Sequence, residues 1–205
     1  MATVITKFFD YGDEEVDYLR IVDGILGAAM VRMGKIERVI IPDLFSALVH
    51  AIVGQLISAK AAQTIWNRMQ LTFGEVTPHN LAERSADDIQ SCGVTMKKAV
   101  CIHNIAGMIA DGDFNLDELH DLPDAEVIQR LTALNGIGKW TAEMLLLNAM
   151  ERQDVVSWGD IAIRRGMMKL YGLHSITKEQ FEVYRRTYSP YGSIASIYLW
   201  VISFE

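Results

Sequence analysis

The chain is poor in cysteine, with two in 205 residues, Cys92 and Cys101. Two thiols cannot build a disulfide framework or a four-thiolate metal centre. They suit a reducing compartment, where each reads as a small buried side chain. The five histidines, His50, His79, His103, His120 and His174, show no metal-ligand spacing, and no Walker loop is present. The longest apolar runs, such as residues 142–150, are interrupted and too short to span a bilayer, so no membrane partner is expected. The mixed, acidic start is unlike a secretory signal. The expectation is a cytoplasmic, nucleoid-associated or nuclear protein that is not secreted. No low-complexity linker or internal repeat stands out.

Half of the residues are hydrophobic, enough for a sizeable core. The net charge of −7 argues against a protein that coats nucleic acid without specificity, but leaves room for contact through one local patch. Basic residues do gather late in the chain, at Arg164, Arg165, Lys169, Arg185 and Arg186, whereas residues 10–17 and 111–126 are acidic.

The patterning is helical nearly throughout. Residues 43–57 carry Leu44, Leu48, Ile52 and Leu56 at helical spacing. Ser58 stands where it would cap a following helix with Ala61, Ala62, Ile65 and Met69 on one face. Ser85 with Asp88, and Thr177 with Gln180, have capping-box spacing. Pro123 suits a first helical turn. A short strand is allowed near residues 39–41 but cannot support a sheet-based fold. The fold class read from this pattern is all-α, with roughly ten short helices.

Two features carry chemistry. The stretch Leu134-Asn135-Gly136-Ile137-Gly138-Lys139-Trp140-Thr141-Ala142 joins a helix over residues 123–134 to another over 139–150. Two glycines around one apolar residue permit a tight turn that a ligand can approach closely. The amides at the new helix start favour an anion, and Lys139 adds a charge. A plain helix–helix corner with a C-cap glycine accounts for the turn alone equally well. No βαβ pattern follows, which argues against a dinucleotide site. Downstream, Asp160 can cap a helix over residues 161–170, or present a carboxylate to a reaction, or both.

These residues resemble the helix-hairpin-helix base-excision DNA glycosylases. Leu134 to Ala142 is similar to the family's hairpin, and Asp160 falls where the family keeps its catalytic aspartate. The likeness extends to Ala51-Ile52-Val53-Gly54-Gln55-Leu56-Ile57-Ser58, to Gly93-Val94 with Lys97-Lys98-Ala99, and to Ser189-Pro190-Tyr191-Gly192-Ser193 with Tyr198-Leu199-Trp200. It covers residues 43–205 in order and favours the 3-methyladenine DNA glycosylase II (AlkA-like) branch. The resemblance implies a two-lobed helical core over residues 43–205 with a cleft between the lobes. Residues 1–42 would be a helical extension packing on the C-terminal lobe.

The resemblance also implies roles. Asp160 would stabilise the positive charge that develops on the sugar and help activate water. Trp140 and Trp200 match positions lining the base pocket, with Trp158 as a further wall. Met144 stands where that branch often has an aromatic, a departure bearing on substrate range. Leu56 would be the wedge that fills the gap of an extruded base, with Gln55 as its polar neighbour and Ser58 and Arg164 among the DNA contacts. Gly136, Gly138, Lys139 and Thr141 would hold a phosphate, and the carbonyls of Thr132, Leu134 and Gly136 an alkali cation, Na+ or K+. Lyase-competent relatives carry a lysine where Trp140 stands. Here Lys139 lies one residue earlier, rotated by about 100° on a helix, which implies a monofunctional hydrolase. Gly192 replaces a basic residue common in relatives, and the four-cysteine loop of an iron–sulfur cluster is absent. No cofactor is expected to be required. The implied partner is damaged double-stranded DNA, bound by a monomer that removes alkylated bases. Alternatives are a glycosylase for oxidised or deaminated bases and a non-catalytic DNA-structure-binding module.

Overall fold

A computed structural model describes residues 4–205. Twelve α-helices are present among them: α1 Asp13–Val22, α2 Gly24–Met33, α3 Leu44–Gly54, α4 Ala59–Phe73, α5 Pro78–Ala82, α6 Ala86–Ser91, α7 Met96–Ala110, α8 Asp124–Ala133, α9 Lys139–Asn148, α10 Ile161–Leu170, α11 Lys178–Tyr188 and α12 Gly192–Ile202. A 3₁₀ turn spans Asp117–Asp121, and β1 Lys7–Phe8 pairs with β2 Val39–Ile40. The all-α reading holds, with twelve α-helices among the described residues where roughly ten were expected.

The chain divides into two compact units. One comprises residues 4–7 and Ile41–Met150, the other Phe8–Ile40 and Glu151–Glu205. Residues 8–40 cluster with the last quarter of the chain.

In the first unit, the apolar stripe of α3 is buried at Leu44, Leu48, Val49, Ile52 and Val53. Around it pack α4, α7 and α9, with α5 and α6 against α7 and α8 against α9. The helix starts follow their capping residues. Asp43 accepts from the Ser46 amide, Ser58 from Ala61, and Ser85 closes its box with Asp88. Pro123 sits one position earlier than expected, as the N-cap of α8 rather than inside its first turn.

In the second unit, α10 packs on α12 and on α2, while α1 packs on α2, α11 and α12. Long-range bonds fasten residues 8–40 to the end of the chain. The Arg32 guanidinium grips both carboxylate oxygens of Glu205 at 2.7 Å, and the Tyr198 hydroxyl donates to the Gly34 carbonyl at 2.9 Å. Phe181, Tyr188 and Tyr198 are fully enclosed in this unit's core.

Candidate active site

The first unit carries the hairpin. Helix α8 ends at Ala133, the Ile137 amide closes the turn onto the Leu134 carbonyl at 3.1 Å, and Gly138 is the N-cap of α9. Leu134 and Ile137 are buried, so the turn is seated on the core at both shoulders. The two glycines serve different ends. Gly136 has φ +86°, and a Cβ there would lie 2.7 Å from the Cys101 Sγ, so the fold itself requires glycine. Gly138 has an ordinary negative φ, and a Cβ on it would meet nothing within 4 Å. Its bare backbone faces open space directly beneath the first turn of α9, whose amides point out of the helix end.

Next to the hairpin, the end of α3 departs from the sequence expectation. The helix stops at Gly54, so Leu56 does not continue the buried stripe of Leu48 and Ile52. Leu56 adopts φ +58° and is fully exposed, at 104 % of its reference surface. A bulky residue held in the left-handed region costs about 1–2 kcal/mol, and exposing it gains nothing in folding. Two side chains hold the turn in place. The Lys98 ammonium donates to the carbonyls of Val53 at 2.8 Å and Gln55 at 2.6 Å, capping the end of α3. Burial lowers the Lys98 pKa below the ordinary lysine value. The Gln55 amide donates to the Gly136 carbonyl at 3.1 Å and to the Thr141 hydroxyl at 3.3 Å. The Leu56 turn and the hairpin are thus one hydrogen-bonded assembly on α7, which also sends the Cys101 thiol to the Asn135 carbonyl at 2.8 Å.

The other candidates of this unit sort by exposure. Lys139 is 73 % exposed and lies 3.7 Å from the Glu143 carboxylate. Trp140 is 41 % exposed, whereas Met144 is buried at 8 %. Thr141 is buried with its hydroxyl turned to Gln55, so a phosphate would meet its backbone amide rather than its side chain. Ser58 is exposed and spends its hydroxyl on the cap of α4. Of the three carbonyls singled out for a cation, that of Leu134 accepts from Ile137 and that of Gly136 from Gln55. Each has a second lone pair to offer. The Thr132 hydroxyl bonds back to Ile128 at 2.7 Å.

The second unit carries the carboxylate. Asp160 is 7 % exposed and is the N-cap of α10. Its Oδ1 accepts from the amides of Ala162 at 2.8 Å and Ile163 at 3.0 Å, and its own amide donates to Ser157 at 3.2 Å. The cap fixes the side chain, and the positive end of α10 favours its charge. Trp158 is packed, its ring edge-on to Phe181 at 5.2 Å and under the Arg164 guanidinium at 4.7 Å. The Arg164 Nε is buried without a hydrogen-bond partner. Gly192 is set by packing, because a Cβ would fall 2.6 Å from the Asp154 Oδ1 and 2.7 Å from Val156.

One residue of each unit has a role that the sequence does not reveal. Lys98 reads there only as part of a motif, and nothing in the pattern makes it a helix cap across 45 residues of chain. Arg38 lies in a segment without any motif, yet its guanidinium stacks on Trp200 at 4.3 Å from the ring centroid. Burial lowers the Arg38 pKa, and the Asp160 carboxylate opposes that shift.

A sequence model described as HhH-GPD superfamily base excision DNA repair protein matches residues 49–190. The chain belongs to this superfamily. Its members similar to this chain include DNA-3-methyladenine glycosylase 1 of Schizosaccharomyces pombe, 30 % identical over 164 residues that cover 78 % of this chain and 72 % of the relative. Among solved structures, the DNA-3-methyladenine glycosidase of Bacillus halodurans superposes with a TM-score of 0.82 at 30 % identity, covering 96 % of this chain and 92 % of that one. The 3-methyladenine DNA glycosylase of S. pombe in complex with abasic DNA superposes at 0.79 with 26 % identity, covering 91 % and 95 %. In this HhH-GPD protein the matched span holds the hairpin, the exposed leucine turn and the buried capping aspartate.

The exposed turn gives an opposed pair of effects. Leu56→Gly removes the side chain and relieves the positive φ. Thermal denaturation should show a Tm no lower than that of the wild type, while base release from damaged duplex falls about tenfold or more if Leu56 fills the gap of an extruded base. A lower Tm with full activity would mean that Leu56 serves the fold and not DNA.

Proposed function

We infer that this protein is a DNA glycosylase that releases alkylated bases, of the 3-methyladenine type, from duplex DNA and so starts base excision repair. The observation that carries the reading is Asp160, a buried carboxylate locked at the start of α10 in a chain whose relatives are named for this reaction. In the hydrolysis, the bond from the sugar C1′ to the base nitrogen breaks and its electron pair stays on the base. The base, cationic before cleavage, leaves neutral; a water oxygen bonds to C1′ and gives up one proton to solvent, and Asp160 offsets the positive charge on the sugar meanwhile. Hairpin amides and Lys139 hold a phosphate, Leu56 fills the gap of the extruded nucleotide, and Trp200 stacks on the base. Two further parts of the reading are a structural alkali cation on the hairpin carbonyls and a monomeric enzyme.

The protein acts as a hydrolase without lyase chemistry. An amine that attacks a sugar carbon is normally desolvated or flanked by other cations, whereas Lys139 is exposed and faces Glu143. The test is incubation with methylated duplex DNA, scoring free base and strand breaks before and after alkali. Free methylpurine with breaks only after alkali is the expected result. Breaks without alkali would restore a lyase role to an amine, and bound DNA with no free base would leave a DNA-structure-binding module.

A further inference from the structure

Lys98 lies in the first turn of α7, from which its ammonium donates to the carbonyls of Val53 at 2.8 Å and Gln55 at 2.6 Å at the end of α3. Were α3 to run on, the Val53 carbonyl would accept from the Ile57 amide and the Gln55 carbonyl from that of Ala59. The apolar period invites that continuation, since Leu56 is in phase with the buried Leu48 and Ile52 and would join their face. Both acceptors are instead spent on one side chain, the Ile57 amide turns back to the Gly54 carbonyl at 3.4 Å, and Leu56 stands exposed at φ +58°. A hydrogen bond from an ionised donor is about twice as strong as a neutral one, and Lys98 gives two of them to this one turn.

We propose that Lys98 is a positioning residue for base extrusion, which holds Leu56 out of the helix it would otherwise join and so keeps it ready to enter the duplex. The inference rests on the reading of Leu56 as the side chain that fills the gap of the extruded nucleotide. An apolar side chain replaces lost stacking most readily when it already stands outside the protein as the base leaves. A Leu56 folded back on the α3 stripe would first have to unwind its own turn, and that reorganisation would be charged against every extrusion. The Gln55 amide supports the same turn by tying its first residue to the hairpin at Gly136 and Thr141. Lys98 acts on neither the DNA nor the reacting atoms, and its contribution passes through Leu56.

A double-mutant cycle on methylated duplex DNA tests this. Free methylpurine is measured under single turnover with the protein in saturating excess, so that weaker encounter with DNA does not enter. The variants are Lys98→Met, Lys98→Arg, Leu56→Gly and the combination of Lys98→Met with Leu56→Gly, with a melting curve for each. Lys98→Met is expected to slow release about tenfold in the wild-type background, but less than about twofold beside Leu56→Gly, where the side chain it positions is gone. Lys98→Arg keeps the charge and can donate to both carbonyls, so release stays within about threefold of the wild type. If Lys98→Met is unfolded by its melting curve, Lys98→Gln, which keeps a donor for the turn, replaces it. An undiminished rate in Lys98→Met, or the same loss in both backgrounds, would overturn the proposal and leave Lys98 to packing or general charge. Leu56→Gly at the wild-type rate would overturn the role of Leu56 and the proposal with it, leaving the glycosylase reading intact. Release of no methylpurine by the wild type would overturn that reading as well.

Discussion

Asp160→Asn is expected to lower base release about 10³-fold while the protein stays folded. The prediction is sharp because the two roles of Asp160 separate in this one substitution. As N-cap, the side chain accepts from the amides of Ala162 and Ile163 through a single oxygen. Asparagine offers a carbonyl oxygen in the same place and ranks with aspartate as a capping residue, so stability changes by no more than about 0.5 kcal/mol. The charge is lost, and with it the partner of the sugar cation in the transition state. Asp160→Ala removes cap and charge together and costs about 1 kcal/mol of stability besides. Rates are read under single turnover on a methylated duplex, with binding measured separately and thermal melting as the control. Asparagine with wild-type rates would confine Asp160 to capping, and another group would have to carry the chemistry.

Gly166→Ala should destabilise the protein by about 3 kcal/mol, roughly 10 °C of Tm in a chain of this size. Gly166 is buried in α10, where that helix crosses α12. A Cβ there would stand 2.0 Å from the Leu199 carbonyl oxygen and 2.7 Å from its carbon. Backbone cannot rotate away as a side chain would, so the helices must separate. Because Asp160 heads α10 and Trp200 follows Leu199 on α12, the displacement reaches the site as well, and activity falls even below the new Tm. The same substitution at Gly107 gives the opposite sign. A Cβ on that residue of α7 meets nothing within 4 Å, and alanine is the better helix former by about 0.5–1 kcal/mol. Melting curves of the two variants side by side check both signs. Equal Tm for Gly166→Ala and the wild type would mean that α10 and α12 can yield.

Much of the fold was legible because local rules act on neighbouring residues. Ser58, Ser85, Asp160 and Thr177 each cap a helix with an amide two or three positions on. The hairpin was equally readable, since Gly136 and Gly138 lie within one turn of chain. Where local periodicity was extended too far, it misled. Leu56 is in phase with Leu48 and Ile52, yet the helix ends before it. The signals that stop the helix come from Lys98, 43 residues away from Gln55, and from Gly136 and Thr141 beyond that. The likeness to a known motif marked Leu56 out, but helical spacing alone would have buried it.

The sequence by itself determined a helical chain, its main caps, its hairpin and the one carboxylate at the head of α10, because each depends on residues within a few positions of one another. The tertiary structure decided which side chains surround those features. It showed that glycine at 136 is demanded by Cys101 whereas glycine at 138 leaves the helix end open. It showed that Lys98 and Gln55 hold an exposed leucine in a conformation its own backbone disfavours. It placed Arg38, more than a hundred residues away in the chain, on the face of Trp200. Charge and stacking act through space, so their partners are set by how the helices pack and leave no period or spacing in the chain.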